Sequence, residues 1–195
     1  MGGRILILGA AGRFGRAAAE AFRDRGWTVV SLVRPGAGWR AAADTLVVED
    51  DGLHTQAVLE AAPGADVILH ALNPPYAEWL AKALPMVEVA IAAAEAAGAT
   101  LMFPGNVYNF GKGMPELLDE ETPMRPTARK GVLRVEIEQR LRAAGERGVK
   151  TVVLRAGDFF GGAGRGSWFD LVIARDVSIN VVRYPGPLED RKSVV

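Results

Sequence analysis

Three glycines, Gly9, Gly12 and Gly15, stand three residues apart between an apolar run, Ile5 to Leu8, and an amphipathic stretch. Glycines so placed do one kind of chemistry: they bring backbone N–H groups close to an anion with no side chain in the way. A helix N-terminus carries about half a unit of positive charge and N–H groups that precede the helical ladder, which suits a diphosphate. Gly9 then permits the tight turn, Gly12 lets the backbone approach the ligand, and Gly15 lets the helix pack on the strand. Ala11, Arg13 and Phe14 complete the loop. The spacing G-x-x-G-x-x-G differs from the older G-x-G-x-x-G dinucleotide fingerprint, and an ordinary strand-to-helix turn is the alternative. Its place directly after a buried strand and before an amphipathic helix favours dinucleotide binding.

Two arginines bear on which dinucleotide. Users of NAD in this architecture carry an acid after the second strand for the ribose hydroxyls. Here that strand, Thr28 to Val33, runs into Arg34-Pro35-Gly36, and the acid is missing. An arginine at this place grips a 2′-phosphate with two parallel hydrogen bonds. Arg13, inside the glycine turn, is expected to reach the same phosphate. As alternatives, Arg34 is a solvated loop residue and Arg13 an exposed first-turn residue, although a cation near a helix N-terminus is mildly unfavourable. The cofactor expected is NADP, with NAD the alternative.

The elements that must position these groups follow from periodicity. Four apolar residues before a glycine turn suit a strand buried on both faces. Phe14, Ala17, Ala18, Ala21 and Phe22 then fall on one helical face, and Arg23, Arg25 and Gly26 form a stop signal. Leu46 to Val48, Asp66 to Ala71, Leu101 to Phe103 and Thr151 to Leu154 read as further strands, with a helix over Gln56 to Ala62. The alanine-rich stretch from Tyr76 to Ala97 is expected to be divided by Pro85, whose ring suits the first turn of a second helix with Met86, Val89, Ala90, Ala93 and Ala97 on one face. Pro104 to Pro126 reads as one long loop. From Gly131 to Ala144 a helix is expected, with Leu133, Ile137 and Leu141 as its apolar row. Its pairs Glu136 with Arg140 and Glu138 with Arg142 read as a solvated face. Ser167 to Arg175 is expected to form a short helix and Arg183 to Asp190 a loop. Strands alternating with helices imply an α/β fold built on a doubly wound parallel sheet of Rossmann type.

A chain of 195 residues suits one main domain with a small appendage. Basic and acidic residues are equal at 23 each, so charge gives no reason to expect nucleic acid or a membrane as partner; a small molecule is expected instead. No cysteine is present, which removes thiolate metal sites and cysteine nucleophiles. His54 and His70 are too far apart, with too little around them, to suggest a metal site. The chain enters a strand directly after Arg4 and contains no run near the roughly 20 apolar residues of a membrane span. A cytoplasmic protein is expected.

The stretches GAAGRFG at 9–15, VVSLVRPG at 29–36, DVILHALNPP at 66–75, LMFPGNVYNFG at 101–111, RKGVLRVEIEQRL at 129–141 and VVLRAGDFFG at 152–161 together resemble the short-chain dehydrogenase/reductase superfamily. The resemblance is to its extended or atypical branch, the NAD-dependent epimerase/dehydratase-like proteins. It implies a dinucleotide-binding Rossmann domain over 1–160 and a partial, incomplete substrate-binding segment over 161–195. It also implies that Asp50 or Asp51 approaches the adenine and that Ala71, Leu72 and Asn73 lie along the ribose and diphosphate. Asp50 as a loop or capping carboxylate is the alternative. In such a sheet ligands lie beyond the carboxyl ends of the strands, where Arg34, Asp50, Ala71 to Asn73, Pro104 to Tyr108 and Ala156 to Phe159 all fall.

The resemblance breaks at the reaction centre. Relatives carry a serine after the fifth strand and a Tyr-x-x-x-Lys pair on the next helix. Here Pro126 stands four residues before Lys130, and Pro104-Gly105-Asn106 has no hydroxyl. Lys130 is expected to bind the nicotinamide ribose, Thr127 to donate a hydrogen bond, and Asn106 or Tyr108 to polarise a substrate oxygen. The plain alternatives are a surface lysine, a turn asparagine and a packing tyrosine. Tyr108 would need a cationic neighbour to act near neutrality. The chain also stops earlier than relatives do, so Trp168, Phe169 and Tyr184 are expected to face a pocket lacking one wall, through truncation or at a subunit interface. A homo-oligomer is expected. The function implied is hydride transfer on a sugar nucleotide or other small polar metabolite by an epimerase/dehydratase-like or reductase-like oxidoreductase. The alternative is a non-catalytic NAD(P)-sensing regulator of the same fold.

Overall fold

A computed structural model describes residues 2–38, 42, 45–157 and 169–183. The chain divides into two compact units, Met1–Ala156 and Gly157–Val195.

The first unit is a six-stranded sheet in which every neighbouring pair is parallel. Its elements in chain order are β1 (Arg4–Leu8), α1 (Arg13–Arg23), β2 (Thr28–Val33), β3 (Leu46–Glu49), α2 (Thr55–Ala61), β4 (Val67–His70), α3 (Trp79–Ala97), β5 (Thr100–Asn106), α4 (Arg129–Glu146) and β6 (Thr151–Ala156). The spatial order β3-β2-β1-β4-β5-β6 reverses direction between β1 and β4. At that point the loops after the two strands diverge and leave a crevice at their carboxyl ends.

Alternation along the strands sends side chains to two cores. Ile5, Ile7, Val29, Val33 and Leu69 face α1, where Ala19 is buried and Phe14, Ala18 and Phe22 pack alongside. Leu6, Leu8, Val30, Leu32, Ile68, Leu101 and Phe103 face the other way, under α2, α3 and α4. The apolar row Leu133, Ile137 and Leu141 is buried there as its spacing predicts. This is the doubly wound arrangement.

Three local expectations are corrected. Pro85 does not divide the alanine-rich stretch: α3 runs unbroken through it after a 3₁₀ turn over Tyr76–Glu78. The missing N–H orphans the carbonyl of Ala81, and both residues are exposed, so water can satisfy it. Beyond it Val87, Ile91 and Ala94 are buried as well as Met86, Val89, Ala90 and Ala93, a wider face than a single stripe. The long loop begins later than expected, because β5 continues through Pro104 and Gly105 to Asn106. Thr100 N–H donates toward β4 and Leu101 N–H toward β6, so alternation puts the donor Pro104 lacks on the β4 side, where pairing has ended at Leu69 with Met102. Finally, Glu138 is not on a solvated face; it is buried.

In the second unit the described residues form a π-helical turn over Phe169–Ile173, inside the expected short helix, and a 3₁₀ turn over Val177–Ile179. Arg183 clasps the segment, its Nε donating to Asp176 Oδ2 at 2.6 Å and its N–H to the Ile173 carbonyl. Phe159, Trp168, Tyr184 and the expected loop beyond Arg183 lie outside the described residues. Among the described residues no helix is long and apolar enough to cross a membrane.

Candidate functional site

The glycine loop sits where the strand order reverses. Gly9 and Ala10 both donate N–H bonds to the Leu32 carbonyl at 3.0 Å, and Gly12 N–H donates to Gly9, closing the turn. Gly9 has φ +89°, and a Cβ there would lie 2.9 Å from the Ala71 carbonyl, so only glycine fits between the ends of β1 and β4. At Gly15 a Cβ would overlap the Gly9 carbonyl, so α1 sits directly on the turn. Gly12 differs from both. Its backbone is ordinary (φ −70°, ψ 164°), and a Cβ would meet only the Gly9 carbonyl, at 3.3 Å. Packing therefore requires Gly9 and Gly15, whereas at Gly12 a Cβ would meet one carbonyl closely without overlapping it. Gly12 caps α1 without a side-chain bond, and the first turn carries no acid. Arg13 opens the helix; the next arginine, Arg16, holds the Ala11 carbonyl through Nε at 2.9 Å.

Other predicted residues follow the carboxyl ends of β2, β3 and β4. Ala71 abuts Gly9, and Leu72 packs on the turn after β3, where a Cβ at Gly52 would overlap its side chain. In that turn Asp50 is buried; its Oδ1 accepts from Gly52 N–H at 2.6 Å, and its Oδ2 lies 2.7 Å from His54 Nδ1. Asp51 accepts from Leu53 N–H. Asp50, Asp51 and His54 thus form a carboxylate-histidine group, with His54 the N-cap residue of α2. Arg34 is exposed immediately after β2, and Asn73 is exposed two residues beyond Ala71.

The candidate reaction centre forms between β5 and α4. Asn106 ends β5 and its Oδ1 accepts from Tyr108 N–H at 3.0 Å, starting a 3₁₀ turn over Val107–Phe110. Gly131 lets α4 press on this turn, since a Cβ there would overlap the Tyr108 carbonyl. Tyr108 is 40% exposed, and the Lys130 ammonium lies 5.5 Å from the Trp79 ring centroid. The Thr127 hydroxyl accepts from Lys112 N–H at 2.9 Å.

Under this turn lies a network absent from the local sequence pattern. Glu138 receives two bonds from Arg155 Nε at 3.2 and 3.1 Å, one from its Nη2 at 2.8 Å, and one from Asn109 Nδ2 at 2.7 Å. The carboxylate raises the pKa of Arg155, chiefly through these bonds. Glu138 is one residue from Ile137 and three from Leu141, on the shoulder of the buried row; Arg155 shares its strand face with Val153, which packs on the same core. Those two spacings are the available sequence signal. The network ties α4, β6 and the turn carrying Tyr108 together.

A narrow cleft with room for about one water molecule opens at the carboxyl end of β4, walled by α3 and α4. His70, Asn73, Trp79, Phe103 and Arg134 line it. The Arg134 guanidinium lies 4.6 Å from the Trp79 centroid and 5.3 Å from that of Phe103. Burial, helped by the charge of Arg134, pushes the His70 pKa down to about 3, so its imidazole is neutral.

With this geometry in view, comparison with known proteins places the chain. WbmH from Bordetella bronchiseptica, solved in complex with NAD+, matches with a TM-score of 0.77 and 17% identity over 91% of this chain and 62% of its own. A short-chain dehydrogenase/reductase superfamily protein from Agrobacterium tumefaciens with bound NAD matches at 26% identity and a TM-score of 0.63, over 78% and 48%. Uronate dehydrogenase from Agrobacterium tumefaciens matches at 24% identity and 0.66, over 76% and 58%. This chain therefore spans about half to three-fifths of the length of these structures. No curated protein matches it. The model of the NAD dependent epimerase/dehydratase family matches residues 5–175, most of the sequence, and the chain belongs to that family.

Proposed function

We propose that the glycine loop binds the diphosphate of NADP(H), and that the protein is an epimerase/dehydratase-like or reductase-like oxidoreductase acting on a small polar metabolite. The observation that carries this reading is the space at Gly12. Gly9 and Gly15 are explained by packing, whereas the glycine at 12 is explained by a ligand that needs the space a side chain would fill. Gly9, Ala11, Gly12, Arg13, Phe14 and Gly15 would hold the diphosphate, Ala71, Leu72 and Asn73 the ribose side, and the buried turn at Asp50 would border the adenine. The dinucleotide supplies a hydride donor or acceptor. Two of the three structures named above contain NAD, which supports a nicotinamide dinucleotide. Arg34 at the end of β2 and Arg13 at the start of α1 favour the 2′-phosphorylated form, since β1 and β2 are neighbours and no acid follows β2.

Lys130, Tyr108 and Asn106 are the groups available for the substrate side, with Lys130 orienting the nicotinamide ribose. Pro126 in place of the relatives' tyrosine favours a second reading, a non-catalytic sensor of NAD(P). Titrating NADPH and NADH into wild type and Arg34→Asp tests the cofactor choice. NADPH should bind at least tenfold tighter to wild type, the factor that about 1.4 kcal/mol of charge-assisted bonding supplies. The preference should vanish in the variant, and equal affinities in wild type would reject NADP(H) selectivity. Consumption of NADPH with any carbonyl substrate in a panel of aldoses, uronates and small ketones separates enzyme from sensor.

A further inference from the structure

The cleft at the carboxyl end of β4 has chemistry, at His70 and Arg134, that the cofactor reading does not use. His70 lines it, is buried, and its Nδ1 has no hydrogen-bond partner among the described residues. A buried polar atom left this way is destabilising unless something in the cleft completes it. Two cations converge on the same indole: Arg134, stacked over Trp79 and Phe103, and Lys130, near the ring from the start of α4. Trp79 is fixed in turn by its Nε1–H bond to the Pro74 carbonyl at 2.9 Å. Among the described residues lining the cleft none is an aspartate or glutamate. A neutral imidazole with Nδ1 left to bond, the Asn73 amide and the Arg134 guanidinium, set among Leu72, Pro74, Met86 and Ile137, can together receive a small oxyanion. The cleft has room for about one water molecule, so a single oxygen of an anion can enter it.

We propose that this cleft is a carboxylate subsite, built by His70 and Arg134 around Trp79, with Lys130 adding charge at the same ring from outside the lining, and that the protein's small-molecule substrate carries a carboxylate that enters it. The assignment of the anion to a substrate rests on the oxidoreductase reading above; the subsite itself is measured without cofactor. Formate is the probe, with formamide as its neutral isostere. Two-dimensional NMR of the histidine imidazole nitrogens, on the full chain without dinucleotide, follows His70 directly. Formate should shift the His70 Nδ1 signal saturably, and formamide should not at equal concentration. Arg134→Met should weaken formate binding at least tenfold, and Lys130→Met, an exposed change that leaves the core intact, about threefold. Equal responses to formate and formamide, no saturation, or unchanged affinity in both variants would overturn the proposal. Saturation by chloride or phosphate as tight as by formate would also overturn it, assigning the cleft to a free inorganic anion. A protein that binds formate but no dinucleotide would sink the cofactor reading and leave the subsite standing; the reverse would remove only the subsite.

Discussion

Replacing Gly12 and Gly15 one at a time separates what the fold needs from what a ligand needs. Gly12 has a backbone conformation open to any residue, and its added Cβ meets one carbonyl at 3.3 Å, which must yield a few tenths of an ångström. Against that small repulsion, alanine reduces the freedom of the unfolded chain by about 0.4–1 kcal/mol, so Gly12→Ala should leave stability within about 1 kcal/mol of wild type. Gly15 lies inside α1, where alanine gains about 1 kcal/mol in helix propensity. Its Cβ, however, would overlap the Gly9 carbonyl and lie 2.8 Å from Ala10 Cα, both rigid backbone. Overpacking of this kind costs about 1–3 kcal/mol or more, so Gly15→Ala should be the less stable protein. Binding should follow the opposite order. A side chain at 12 removes the approach of the diphosphate, and losing one charge-assisted bond of about 1.5–3 kcal/mol weakens binding tenfold or more. Gly12→Val should lose more. Urea unfolding followed by circular dichroism, with calorimetric titration of NADPH, measures both quantities. A folded Gly12→Val with wild-type affinity, or a Gly15→Ala more stable than wild type, would refute the reasoning.

Other outcomes follow from the same contacts. Glu138→Ala strands the Arg155 guanidinium and the Asn109 amide, and breaking a buried pair costs about 3–5 kcal/mol. Because Arg155 is partly exposed, the lower end is expected, with Glu138→Gln losing roughly half; a urea-derived loss under about 1 kcal/mol for the alanine would contradict the network. His70 binds no proton in the folded state until pH falls toward 3, whereas the unfolded chain takes one up near 6.5. Its contribution to stability is therefore complete above the unfolded value and is lost as pH drops through that window, about 2 kcal/mol between pH 7 and pH 5. The pH slope of the urea midpoint should be shallower in His70→Leu by that amount, and equal slopes would count against a neutral buried imidazole. If the protein turns over a substrate, Tyr108→Phe should keep the rate within about tenfold, because a lost general acid costs 10²–10⁴. Lys130→Ala should instead weaken cofactor affinity.

Much of the frame was legible because it rests on short-range signals. The buried run Ile5 to Leu8, the glycines after it and the faces of α1 and α4 are each encoded within a dozen residues. What escaped was decided by contacts distant in sequence. Glu138 and Arg142 have the spacing of a surface pair, but Arg155 on β6 offers a bidentate partner in the interior and takes the carboxylate. Pro85 reads as a break until neighbours on both sides bury the helix around it while its own face stays wet. Pro104 and Gly105 look like a loop until β6 pairs with them on the side where no donor is missing. At the candidate site the loop glycines could be named from spacing alone. The reason Gly12 differs from Gly9 and Gly15 needed the position of the Gly9 carbonyl.

Mapping the backbone amide shifts of the isotopically labelled protein during titration with NADP+ tests the dinucleotide assignment most directly. Saturable shifts should concentrate at Gly9 to Gly15, with a second group at Ala71 to Asn73 and a third at Arg34. Shifts that avoid the glycine loop, or none at millimolar NADP+ and NAD+ in a folded protein, would contradict it.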